Sequence, residues 1–200
     1  MRFTQRLRVE YVLVLFSGHG GTDAASRRPV LQLNARPQRV WLDGVLPAAS
    51  RQLVIVDACR SFLGDAGLSG LFGEEKQYFP SNLSRTHARR LFDLTLARSE
   101  PGRVVCFACQ QGTTSLDTQT GGYFSCELLD TTNEWTVAPS DNEYLSIHGA
   151  FERTRHTIAR RPNPPQQPYL WDSLPSRRYS FRFSRTGGRT MRLCLGKQPV

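Results

Sequence analysis

The chain has no apolar run approaching the roughly twenty residues that a membrane-crossing helix needs, so no membrane span is expected. Its opening, Met1-Arg2-Phe3-Thr4-Gln5-Arg6-Leu7-Arg8, leads into a strand-like stretch rather than into the small-residue cleavage site of a secretory leader. Its five cysteines, at 59, 106, 109, 126 and 194, form no evenly spaced framework and mostly sit in apolar patterns, which points to reduced thiols. Together these absences imply a soluble, cytoplasmic protein. The lone C-x-x-C, Cys106 and Cys109, has no second pair. On a strand, residues three apart point to opposite faces, so the two thiols diverge and no metal site is expected. Acids are also scarce, 17 against 26 Lys and Arg, for a net charge of +9. Arginines thicken towards the end, from Arg153 and Arg155 to Arg189 and Arg192. That balance permits nonspecific contact with nucleic acid or an acidic partner. Without zinc-finger spacing, a stacking motif or a basic reading helix, nucleic acid is not expected as the main partner.

What is present centres on two runs, Tyr11-Val12-Leu13-Val14-Leu15-Phe16-Ser17-Gly18-His19-Gly20 and Gln52-Leu53-Val54-Ile55-Val56-Asp57-Ala58-Cys59-Arg60-Ser61. Each is a continuous apolar stretch of strand length ending abruptly in small and polar residues, the pattern of a strand buried on both faces of a parallel sheet. Chemistry in such sheets gathers beyond the carboxyl ends of the strands, which here carry His19 and Cys59. A thiolate can attack a carbonyl while an imidazole takes its proton and later protonates the leaving amine. Gly18 and Gly20 let a substrate backbone approach closely, and the Gly20 and Cys59 amides can aim at a developing oxyanion. Either residue alone reads more readily as a plain turn or a small buried hydrophobe; the matched endings on two successive strands favour the catalytic reading.

These residues resemble the caspase and metacaspase clan of cysteine peptidases. Phe16-Ser17-Gly18-His19-Gly20 and Asp57-Ala58-Cys59-Arg60-Ser61 stand nearest the metacaspase-like and bacterial caspase-like members, which read Asp-x-Cys where animal caspases read Gln-Ala-Cys. A third match is Phe107-Ala108-Cys109-Gln110-Gln111 with its following Thr-Ser loop, Thr113 to Asp117. The resemblance covers the chain from Tyr11 to about Phe183. It implies an α/β, three-layer caspase-like fold with a mostly parallel central sheet flanked by helices, its N-terminal strands missing, over residues 1–185 with a tail at 186–200. It implies a cysteine endopeptidase with His19 and Cys59 as the dyad, no cofactor, and a protein or peptide as substrate. Asp57 and Ser17 stand where such members bind a P1 Arg or Lys, and Ser115 joins them as a substrate-binding position. Asp57 also has a structural reading, as a group that orients the Cys59 turn. Arg60 stands where many metacaspases have histidine and is assigned no chemistry. The calcium-binding acidic set of some members is not recognisable here.

In chain order, Gly21 to Ser50 reads as turn-rich with a short helix-or-loop signal at Val40–Leu46, resembling the family's crossover helix. Residues 73–86 read as an exposed loop, and Ala88–Ala97 shows helical spacing that Pro101-Gly102 ends. Arg103–Cys109 follows as a third buried strand, and Gly121-Gly122 opens a helix. Asn142–Arg160 is the clearest amphipathic helix, with Asp141 or Asn142 as cap and with His148 and His156 as surface decoration. The prolines from 162 to 168 make a linker, Arg178–Phe183 alternates like an edge strand, and Met191–Leu195 is one more short strand.

The family's domain starts with a strand, helix and strand before the histidine strand, for which this chain has about ten residues. The histidine strand would then present an apolar edge, open to pairing with another chain. Two readings of different class therefore stand: a peptidase cutting after Arg or Lys, self-processing at sites such as Lys76, Arg85, Arg89 or Arg90, and a truncated, inactive caspase-like module that acts by binding a partner.

Overall fold

The computed structural model describes residues 10–33, 38–63, 100–118, 121–137, 144–161, 166–175, 182–186 and 189–190. In chain order the first half contains β1 (Tyr11–Ser17), β2 (Gly20–Asp23), β3 (Pro29–Gln32), β4 (Arg39–Trp41), the single turn α1 (Leu42–Val45), β5 (Arg51–Asp57) and β6 (Phe62–Leu63). The second half contains β7 (Gly102–Phe107), β8 (Asp117–Thr118), β9 (Gly121–Gly122), α2 (Tyr123–Val137), β10 (Tyr144–Ser146), α3 (Ile147–Ala159), β11 (Tyr169–Asp172), β12 (Arg182–Thr186) and β13 (Arg189–Thr190).

The central sheet has the order β1-β5-β7-β11. β1, β5 and β7 run parallel, with Ser17 opposite Asp57 and Val56 opposite Phe107, so the expected buried strands lie side by side and end together. β5 is apolar on both faces because both are covered. On one face Leu53, Val104 and Cys106 pack with Phe124 and Leu128 of α2 and with Phe151 and Ile158 of α3. Phe124 meets Phe151 edge to face, centroids 5.8 Å apart. On the other face Val54, Val56, Val105 and Phe107 pack with Leu31 and Leu42. Two helices on one side and a small sheet with a helical turn on the other give the three layers of a mixed α/β domain.

The structure departs from the sequence reading in five places. The connection from β1 to β5 is mainly an antiparallel meander, β2-β3-β4, with β6 added beside β2; the crossover helix is the single turn α1. These strands are too short to show a period. The amphipathic helix begins at Ile147, not Asn142, because Tyr144–Ser146 pairs with β12; its cap is Ser146, whose hydroxyl accepts from Gly149 N at 3.0 Å. His148 is no decoration: its Nε2 lies 2.9 Å from Asp172 Oδ2, with both side chains nearly buried. The strand beside β7 is the antiparallel β11, placed in what reads as the run-out of a proline linker, with Tyr169 opposite Phe107. Of the expected Arg178–Phe183 strand, residues 178–181 lie outside the described residues, and β12, Arg182–Thr186, pairs with β10 rather than edging the central sheet. The expected loop at 73–86, helix at Ala88–Ala97, strand at Met191–Leu195 and cleavage positions Lys76, Arg85, Arg89 and Arg90 lie outside the described residues. Among those residues no helix is long and apolar enough to cross a membrane.

Candidate active site

The two strand ends are tied together by backbone before any side chain is considered. Gly18 N donates to Asp57 O at 3.1 Å, one residue past the last matched pair of β1 and β5. Gly20 then lies so close to the next strand end that a Cβ there would stand 2.9 Å from Ala58 Cβ and 3.2 Å from Cys59 O. His19 sits between these two contacts, half-buried, its carbonyl held by Gln32 N at 3.0 Å. The rim therefore brings the main chain at His19 and Cys59 together as two adjacent parallel strands dictate. Glycine at 20 is required by this approach rather than by turn geometry.

Cys59 is half-buried and free. Its sulfur is held by one residue of the loop after β7. Ser115 N donates to Sγ at 3.4 Å, the Ser115 hydroxyl lies 3.8 Å away, and the thiol reaches Ser115 O at 3.6 Å. That loop is fastened from several sides. Arg60 N donates to Thr113 O at 2.9 Å, and Arg60 O accepts from Gly112 N and from the Thr22 hydroxyl, both at 2.8 Å. Beyond Ser115, Leu116 N donates to Gln166 Oε1 at 2.8 Å and Leu116 O accepts from Tyr123 N. Gln166, Thr113 and Thr22 carry no chemistry of their own, and of the three only Thr113 falls within a motif visible in the sequence, the Thr-Ser loop.

Asp57 is 1% exposed. Its Oδ2 accepts from Ser125 N, in the first turn of α2, at 2.7 Å, while Oδ1 is buried with no partner. Gly122 backs directly onto the carboxyl, leaving no room for a Cβ. Burial pushes the carboxyl up to about 6, against the opposing pull of the Ser125 N–H. Ser17, opposite Asp57 in register, is exposed at the end of β1. The structure thus brings Ser17, His19, Gly20, Asp57, Cys59 and Ser115 to one edge of the sheet.

Arg60 is unusual. The residue is 8% exposed and its guanidinium lies 4.0 Å above the Phe107 ring and 5.7 Å from that of Tyr169. Nη1 donates to Cys109 O at 3.4 Å, whereas Nε is buried without a partner. Burial lowers the affinity of this guanidinium for its proton.

The C-x-x-C thiols part as the strand geometry requires. Cys106 is wholly buried in the core cluster beneath α2 and α3, and burial raises its pKa strongly. Cys109 points elsewhere, its sulfur reaching Ala58 O and Thr113 O at 3.5 Å each. Burial raises Cys109 as well, which keeps it a thiol donor bracing the Cys59 segment. Among the described residues no three His, Cys, Asp or Glu side chains gather as metal ligands.

Comparison with known proteins adds three findings. No curated protein matches the chain. Among solved structures, protein GSU0716 from Geobacter sulfurreducens matches at 18% identity and a TM-score of 0.48, over 87% of this chain and 72% of that one. The family model for the peptidase C14 caspase domain matches residues 4–179. The chain therefore belongs to the caspase-domain family of cysteine peptidases.

Proposed function

We propose that the chain is a cysteine endopeptidase that cuts after Arg or Lys, with Cys59 as nucleophile and His19 as general acid and base. The observation that carries this reading is the double backbone tie on either side of His19, Gly18 to Asp57 and Gly20 against Ala58-Cys59, with the sulfur held by Ser115. In the first half-reaction the thiolate attacks the scissile carbonyl carbon. The Gly20 and Cys59 amides receive the oxyanion, and the His19 imidazolium gives its proton to the departing amine. In the second, His19 takes a proton from water, the hydroxide adds to the thioester, and the thiolate leaves. Basic P1 recognition rests on Asp57, whose Oδ1 is, among the described residues, the one buried carboxyl oxygen with an unmet hydrogen bond, and on Ser17 and Ser115 at the rim.

The test is hydrolysis of fluorogenic peptides carrying Arg, Lys or Asp at P1 by reduced protein. The Arg and Lys peptides are expected to be cut, and Cys59→Ala and His19→Ala to lose on the order of a thousandfold or more in kcat. A Cys59→Ala protein as active as the parent removes the peptidase reading. Absence of cleavage by well-folded protein favours the partner-binding module.

A further inference from the structure

On the sheet face away from α2 and α3 lies a cavity of about 630 Å³ that the peptidase mechanism does not use. Its floor is formed by the outward residues of β7 and β11, Val105, Phe107, Tyr169 and Trp171, and Arg60 and Arg103 stand over it. The two cations differ. Arg103 is satisfied, with Nη1 3.0 Å from Asp43 Oδ1 and Nε 2.6 Å from Gln52 Oε1. Among the described residues no carboxylate pairs with Arg60. It is more than nine-tenths buried, its one hydrogen bond is to a main-chain carbonyl, its Nε is unpartnered, and its other contacts are the faces of Phe107 and Tyr169. Withdrawing a guanidinium from water without an anion is costly, and a cation flanked by aromatic faces recovers only part of that loss. The rings beside it are themselves underused, with Tyr169 and Trp171 43% and 44% exposed. A volume of this size suits a small organic ligand.

We propose that this cavity binds a small aromatic anion, its carboxylate or phosphate on Arg60 and its ring against Tyr169 and Trp171. Both halves of the ligand follow from the lining: the charge from a buried cation left unpaired because Asp43, the acid of the lining, is taken up by Arg28 and Arg103, and the flat body from aromatic faces left open to solvent. The site lies directly behind the nucleophile, because Arg60 follows Cys59 and its main chain is bonded to Thr113 and Gly112 of the loop that carries Ser115.

The experiment titrates the full chain with benzoate and with phenyl phosphate, read by calorimetry and therefore independent of catalysis. Inorganic phosphate and benzyl alcohol serve as the bare anion and the bare ring. At least one aromatic anion is expected to saturate with a Kd of about 1 mM or below, roughly tenfold tighter than either control. Which of the two binds tells carboxylate from phosphate as the natural group. Arg60→Gln is expected to weaken the aromatic anions by roughly tenfold or more. Because Arg60 also packs beside Cys59, Trp171→Ala on the exposed edge strand is the second variant. It should weaken the same ligands by roughly fivefold while leaving the melting temperature near that of the parent. The proposal is overturned if neither aromatic anion saturates the parent chain, if benzyl alcohol binds as well as benzoate, or if Trp171→Ala, folded, binds unchanged.

Discussion

Asp57 shows how a single side chain can carry opposite demands. Buried at the first turn of α2 with one oxygen unmet, its carboxyl titrates near 6 instead of 3.8. The folded state therefore binds the proton more tightly than the unfolded chain does. The resulting stabilisation is complete below about pH 4 and is lost as the pH rises through 6, at roughly 1.4 kcal/mol for each pH unit of that window. Asp57→Asn, which has no charge to desolvate, is expected to flatten this part of the stability profile while melting no lower than the parent at pH 7.5; thermal unfolding between pH 4 and 8 measures both. The same substitution should cut kcat/KM for P1-Arg peptides by on the order of a hundredfold. The parent should lose Arg selectivity on acidification through pH 6. Gly20 is a second residue under local compulsion. A methyl group there must push on Ala58 and on the Cys59 carbonyl, so Gly20→Ala should cost about 1–3 kcal/mol by denaturant unfolding and displace Cys59.

At the level of strands and helices, α3 is held at its N-terminal end by two contacts invisible in its amphipathic period. Ser146 caps its first turn, and Ser146→Ala should lower stability by ~1 kcal/mol. One residue into the helix, His148 joins it to Asp172 on β11, across the sheet edge. His148→Ala should destabilise by about 1–3 kcal/mol, the range for breaking a nearly buried polar pair. The buried strands β1, β5 and β7, two of whose ends lead into His19 and Cys59, were legible because an unbroken apolar run ending in small residues has few other uses. β2, β3, β4 and β11 were not, since three or four residues hold no period and their pairing is decided by partners distant in sequence. The same reason hid Gln166 and Ser125. A glutamine that fastens a loop and a helix N–H that meets a buried carboxylate look, in a string of letters, like any other polar positions.

For the molecule as a whole, β1 is the outer strand of the central sheet among the described residues, and it presents Leu13 and Leu15, 38% and 43% exposed, on the face that carries α2 and α3. An exposed apolar edge favours association between chains. Leu13→Lys with Leu15→Lys should shift the protein towards monomer in sedimentation velocity with little change in melting temperature; an unchanged distribution would show that this edge is not what drives self-association. The net charge of +9 works the other way, keeping copies apart at low salt.

Leu116 is anchored by a side chain fifty positions further along, and Leu116 is the neighbour of the residue that grips the sulfur. On a ribosome, His19 and Cys59 emerge and can lie side by side long before Gln166 has been added. Until then the Ser115 loop lacks that clasp, and the nascent chain carries a thiol whose surroundings are unfinished. On the peptidase reading proposed above, assembly in this order keeps the cutting edge blunt while the chain's own unfolded segments are the nearest polypeptide in reach.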